Sequence, residues 1–158
     1  MRKLLFSFLL VCLFNISMAQ MVYPYRDIKL EKPSDYKETE TMALSAAKFL
    51  LSTPFVEIDA DRGGALTFLN NWMTGAKGYQ FYLQGFIVDI SADINLLSLY
   101  IPAMIKFTLE NKAEAVNPMK VEQQTAKLVL AYCNDTKNNF RLKKKFRKLL
   151  EDRQAATN

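Results

Sequence analysis

The chain has 158 residues, half of them hydrophobic and 23% charged, with 21 basic against 16 acidic side chains and a net charge of +5. That length is typical of one domain. Histidine is absent, which excludes Ser-His-Asp and Cys-His catalysis and every metal site built on imidazole.

Residues 1–19 have the three-part form of a secretory signal. Arg2 and Lys3 give a basic start, and Leu4 to Ile16 is apolar except for Ser7 and Asn15. Ser17-Met18-Ala19 then places small residues where a signal peptidase cuts. The apolar run falls short of the about 20 residues that a helix needs to cross a bilayer. Cleavage makes Gln20 the first residue and removes Arg2, Lys3 and Cys12, so 19 basic residues face 16 acidic ones and the net charge drops to +3. A mature chain of 139 residues buries roughly two-thirds of the surface its unfolded form exposes, enough to fold without disulfides or metals. Cys133 then stands alone, which excludes an internal disulfide and structural zinc. Small secreted domains of eukaryotic type are stapled by several cysteine pairs. The expected location is therefore a bacterial periplasm, with the extracellular space as the alternative.

Residues 20–33 read as an extended leader, because Pro24 and Pro33 punctuate them and no helical period is present. A first helix follows. Asp35 with Glu38 resembles a capping box, Met42, Ala43, Ala46, Phe49 and Leu50 share one face, and Pro54 ends it. A second helix is predicted after Asp61, presenting Ala65, Leu66, Phe68, Leu69, Trp72 and Met73 and closed by Gly75 and Gly78. Over 79–88 a short extended segment competes with a helix. A long helix from about Asp93 to Lys112 comes next, with Pro102 inside it predicting a kink or a break. Asn117-Pro118 is a capping side chain followed by proline at the first helical position, and that helix runs to about Cys133. The last helix sets Leu142, Phe146, Leu149 and Leu150 on one face. Between Lys77 and Lys106 the only charges are Asp89 and Asp93, so this stretch supplies much of the core. Gln80, Gln84, Asp89, Asp93 and Asn95 interrupt it too often for a membrane span. The predicted fold class is all-α: a single small domain of about five helices over 34–153, ending in a disordered tail at 154–158.

Few residues carry chemistry. No Gly-rich phosphate loop is present. Asp59, Asp61 and Gly64 match the opening of a calcium loop, but Gly63 and Asn70 stand where further ligands belong. Asp61 reads instead as the cap of the second helix. Asp89 and Asp93 are four apart and allow a carboxylate pair, although acids at a helix start are stabilising in themselves. The aromatic group Trp72, Tyr79, Phe81, Tyr82, Phe86 and Tyr100 reads as core, with a ligand pocket lined by Trp72, Tyr79, Phe81 and Tyr100 as the alternative. Lys137, Arg141, Lys143, Lys144, Lys145, Arg147 and Lys148 run without an acid until Glu151. They make a solvated face, or one that contacts an anionic lipid surface or an acidic partner. Cys133 reads as a buried small hydrophobe, with a redox thiol as the alternative.

The segments FLLSTPF (49–55), FLNNWMTGAKGYQF (68–81) and YCNDTKNNFRL (132–142) resemble a group of small exported helical proteins of unassigned function in Bacteroidetes-type Gram-negative bacteria. The resemblance spans most of the mature chain and implies an envelope location and one helical domain, with no catalytic residue carried over. Acid-stress periplasmic chaperones are similar in size and helical layout, but their cysteine pair is missing here. The expected function is that of an exported non-enzymatic module, periplasmic or envelope-associated. It would bind an unknown protein or anionic envelope component through Arg141, Lys143, Lys144, Lys145, Arg147 and Lys148. A small-ligand carrier is the alternative, and a His-free carboxylate enzyme the third reading. No cofactor, metal, nucleic acid or mature transmembrane span is expected.

Overall fold

The computed structural model describes residues 25–156; the signal assigned to 1–19 and the start of the leader lie outside them. The described chain forms seven helices: α1 (Pro33–Glu38), α2 (Glu40–Ser52), α3 (Ala60–Gly75), α4 (Phe86–Ile90), α5 (Ile94–Glu110), α6 (Pro118–Asn134) and α7 (Lys144–Ala155). Single 3-10 turns stand at Tyr25–Asp27 and Thr136–Asn138, and there is no strand among the described residues. The predicted class is correct: one small all-helical domain, in which α1 and α4 are the only helices shorter than seven residues.

Side-chain caps set three of the seven helix starts. Asp59 accepts a hydrogen bond from the Arg62 amide (2.7 Å), Asp93 from Leu96 (3.1 Å) and Asn117 from Lys120 (3.2 Å). Each fills one of the donors that a helix leaves open at its first turn. The cap of α3 is thus Asp59 rather than Asp61, which lies within the helix. Pro33 belongs to α1 rather than to a leader, and Asp35 reaches back to the amides of Glu31 and Lys32, both at 2.8 Å. Thr39 separates α1 from α2, its hydroxyl donating to the Asp35 carbonyl at 2.6 Å. Residues 79–83 are neither helix nor strand. Gly85 then turns the chain into α4 at φ +65, a conformation open to glycine and strained for most other residues. Helix α5 runs on through Pro102 without a break, and α7 extends to Ala155, two residues into the predicted tail.

The central element is α5. It packs on α2, α3, α4 and α6, and its two halves feed different parts of the core. Leu96, Leu99, Tyr100 and Ala103 join α4, α6 and α7 through Phe86, Ile90, Val129, Phe146 and Leu150. Met104, Ile105, Phe107 and Leu109 join α2 and α3 through Ala43, Ala46, Ala47, Leu50, Phe68, Leu69 and Trp72. Three alanines on α2 leave room for a close approach to α5. Each fully buried leucine or phenylalanine contributes about 1.5–3 kcal/mol. The described part of the leader belongs to this core: Tyr25 is buried and stacks on Phe68 with ring centroids 5.8 Å apart, and Ile28 and Leu30 pack against the same cluster. Helix α7 lies antiparallel to α6, with Arg147 at its start bonded to Asn134 (2.7 Å) and Arg153 at its end paired with Glu122 (2.9 Å).

One buried cation organises the turn after α2. The Arg62 guanidinium is 4% exposed and donates to the Thr53 hydroxyl (2.8 Å) and to the carbonyls of Leu50 (3.2 Å), Thr53 (3.3 Å) and Pro54 (3.4 Å). It sits where the last carbonyls of α2 concentrate negative charge. Tyr132 reaches the same place from α6, its hydroxyl donating to the Thr53 carbonyl at 2.8 Å. Cys133, next in the chain, is buried, and burial pushes its thiol up to about 12. A thiol so held stays protonated and is a poor nucleophile at neutral pH.

Candidate functional site

A cleft of about 780 Å³ opens between α1, the end of α3 and the chain that follows α5. Its walls come from three separate stretches. Helix α1 contributes Pro33, Tyr36 and Lys37, with Glu40 at the start of α2 beside them. The last residue of α3 and the turn after it contribute residues 75–80, and the last turn of α5 and its exit contribute Thr108, Lys112, Ala115 and Val116.

Tyr36 lies against Gly75, and this contact shapes one wall. An added Cβ at Gly75 would fall 2.0–2.3 Å from the Tyr36 ring and hydroxyl. The Tyr36 hydroxyl donates to the Leu30 carbonyl (3.2 Å), and the Trp72 indole N–H donates to the Tyr36 carbonyl (2.8 Å). Alanine has about 1 kcal/mol better helix propensity than glycine, but Gly75 is the last residue of its helix and the gain there is small. The clash therefore decides the sign. Gly75→Ala is expected to displace the Tyr36 ring, break its bond to Leu30 and destabilise the fold by about 1–3 kcal/mol. A lower urea midpoint together with a shifted Leu30 NMR signal checks it.

The polar part of the cleft centres on Glu40. Its carboxylate accepts from the Lys112 ammonium at 2.6 Å and from the Tyr79 hydroxyl. The Lys112 ammonium also lies 5.3 Å from the centroid of the Tyr79 ring. Lys112 first and Tyr79 second hold Glu40 below the usual carboxylate range, while Glu40 holds Lys112 above the usual ammonium range. Burial, and then the bond to Glu40, raise the Tyr79 phenol. A carboxylate whose folded pKa is depressed stabilises the protein above its unfolded pKa and loses that contribution as pH falls through the folded value. Acidification below Glu40's ordinary 4.5 should therefore weaken the fold. Glu40→Gln should flatten this part of the curve, seen by comparing urea midpoints at neutral pH and at about pH 3.

Thr108 is the one polar residue on the buried face of the last turn of α5. It lines the cleft, is 1% exposed, and its hydroxyl has no hydrogen-bond partner. An unpaired buried hydroxyl costs on the order of 1–3 kcal/mol, a cost that a bound molecule with a hydrogen-bonding group can remove.

The residues singled out from the sequence are dispersed. Of the predicted pocket residues, Tyr79 lines the cleft. Trp72 is completely buried behind it, 5.6 Å from Tyr79 and 6.0 Å from Phe81 between centroids. Tyr100 belongs to the other half of the core, 5.8 Å from Phe86, and burial raises its phenol. A pocket shared by Trp72 and Tyr100 is thus corrected, because opposite halves of α5 bury them. Sequence reasoning missed Tyr36, Lys37, Glu40, Thr108, Lys112 and Val116. Thr108 had a visible signal, a lone hydroxyl on the apolar stripe of α5. The other five lie in ordinary amphipathic or turn contexts.

Asp93 caps α5 and pairs with Lys143 at 2.7 Å. Burial raises its carboxyl, but the bonds from Lys143 and from the Leu96 and Asn95 amides outweigh this and leave it below the usual range. Asp89 is exposed on α4. Residues 60–64 are helical and Asp59 is a cap, so the calcium-loop geometry does not form. No group of three acidic or thiol side chains converges in metal-binding geometry among the described residues.

The basic run is partly engaged. Lys143 pairs with Asp93, Arg147 bonds Asn134, and Lys145 stands 4.4 Å over the Phe146 ring. Lys137, Arg141, Lys144, Lys145 and Lys148 are exposed and have no carboxylate within ion-pair distance among the described residues. Phe146 and Leu150, the apolar anchors of the same helix, are buried in the core. No described helix is long and apolar enough to cross a membrane. No protein-family model, curated protein or solved structure matches the chain.

Proposed function

We propose that this chain is an exported, non-enzymatic binding protein whose cleft between α1, α3 and α5 holds a small molecule. The reading rests on Thr108, a buried hydroxyl without a partner in the wall of a cleft of about 780 Å³. That volume is within the roughly 300–1,000 Å³ usual for ligand sites, which combine apolar walls with a few convergent polar groups. Export is supported by the basic, apolar and small-residue sequence of 1–19, and N-terminal sequencing of protein from its native cells should begin at Gln20. The cleft reading is tested by titrating a fragment set of mixed charge and following backbone amide shifts. Shifts clustered on Gly75, Gly78, Thr108 and Val116 support it. Shifts confined to other surfaces, or none, reject it.

A second reading is favoured by the five unpaired cations around the start of α7. In this reading the exposed face of Lys137, Arg141, Lys144, Lys145 and Lys148 meets an anionic component of the envelope. The contact is electrostatic, since Phe146 and Leu150 are buried in the core and cannot insert into lipid without undocking the helix. Sedimentation with anionic vesicles should weaken with salt and be lost on Lys144→Glu with Lys148→Glu. Binding that neither salt nor charge reversal changes would reject it.

A further inference from the structure

Resting on the cleft reading above, we infer that the ligand is a monocarboxylate with an apolar body, selected by a local excess of lysine. Four ionisable side chains of fixed charge line the cleft: Lys37, Lys77, Lys112 and Glu40. Glu40 is already matched, since Lys112 and the Tyr79 hydroxyl both bond its carboxylate. That leaves Lys37 and Lys77, which line the cleft and have no carboxylate partner among the described residues. A cationic ligand would meet this surplus of like charge and find no free acid. An anion finds two unmatched ammoniums and, at Thr108, a hydroxyl able to donate.

Gln80 is polar, its side-chain oxygen accepting from the Tyr82 hydroxyl at 3.0 Å, and most of the remaining lining is apolar. Pro33, the Tyr36 ring, Ala76, Ala115 and Val116 form this apolar part, and Val116 is 71% exposed in the open cleft. An apolar chain seated there covers hydrocarbon that now faces water. A small polar anion would satisfy the lysines but leave these walls wet. The two halves of the lining together therefore favour one molecule with an acidic head and an apolar tail.

The experiment compares three probes of equal chain length, octanoate, octylammonium and 1-octanol, titrated into the purified protein. Amide shifts locate each probe, and the emission of the chain's one tryptophan, Trp72, reports occupancy from behind the Tyr79 wall. Octanoate is expected to bind in the cleft about tenfold more tightly than octylammonium. Lys37→Gln with Lys77→Gln should remove that preference while leaving 1-octanol binding unchanged. Both substitutions are at exposed positions, so a folded variant is expected and an unchanged circular dichroism spectrum checks it. Thr108→Val, nearly isosteric, should weaken octanoate several-fold. If octylammonium binds in the cleft as tightly as octanoate, or the lysine variant keeps the preference, the ligand class is wrong and the cleft reading survives. If none of the three probes shifts the cleft amides, the cleft reading fails and this inference with it.

Discussion

Arg62→Met is expected to lower the stability of the fold by about 3 kcal/mol, more than any surface charge substitution in the chain. The guanidinium is buried and satisfies the Leu50, Thr53 and Pro54 carbonyls and the Thr53 hydroxyl together. With methionine in its place the Thr53 carbonyl keeps its Tyr132 donor, but those of Leu50 and Pro54 lose theirs. Burial lowers the Arg62 pKa, and nearby Tyr132 and Asp59 act the other way. An arginine this basic remains charged throughout, so its effect should not vary with pH between 5 and 9. Lysine should recover little, because a single ammonium cannot span acceptors on both sides of a planar fork. Urea unfolding measures the loss. An Arg62→Met variant within about 1 kcal/mol of wild type would show that water replaces the guanidinium, and the bracing role would be withdrawn.

Trp72→Ala should cost about 3–5 kcal/mol, the range for emptying a large aromatic site in a packed core. Trp72 has no exposed surface, backs Tyr79 and Phe81, and its indole N–H holds the Tyr36 carbonyl at 2.8 Å. Two effects are therefore combined, and Trp72→Phe separates them. Phenylalanine keeps most of the apolar contact but removes the donor, so about 1–2 kcal/mol is expected. Amide hydrogen exchange should accelerate in α1, the element this bond ties down, more than in α6. A Trp72→Phe variant with unchanged exchange over 33–38 would mean that α1 is held by Gly75 and the Asp35 cap instead. Because Trp72 stands directly behind the Tyr79 wall, the alanine variant should also lose the cleft's binding of octanoate.

Much of the fold is legible along the chain because helices announce themselves locally. Ala43, Ala46 and Leu50 repeat at helical spacing and are buried together. Asn117-Pro118 marks the start of α6 to the residue. The misplacements have the same local origin. Asp59 and Asp61 are equally good capping residues two positions apart, and in the structure Asp59 is the cap, its carboxylate accepting from the Arg62 amide. Over 79–83 alternation suggests a strand, but no second strand is present to pair with it among the described residues. The chain there instead packs Tyr79 and Phe81 against Trp72. Tyr25 could not be recognised as core because its partner, Phe68, lies 43 positions away in the sequence.

The sequence by itself determined the all-helical class and, for the five longer helices, the approximate boundaries and the apolar face, since these follow from periodicity and from capping within a few residues; it left α4 unassigned and ran α1 into α2. The tertiary structure alone decided the site. Glu40 meets Tyr79 across 39 positions and Lys112 across 72, and Asp93 meets Lys143 across 50. Local patterning records which face a helix buries, but not which neighbour it buries that face against. The cleft depends on that second choice: it forms where α1, the end of α3 and the exit of α5 converge, so its charge balance arises from residues that share no motif.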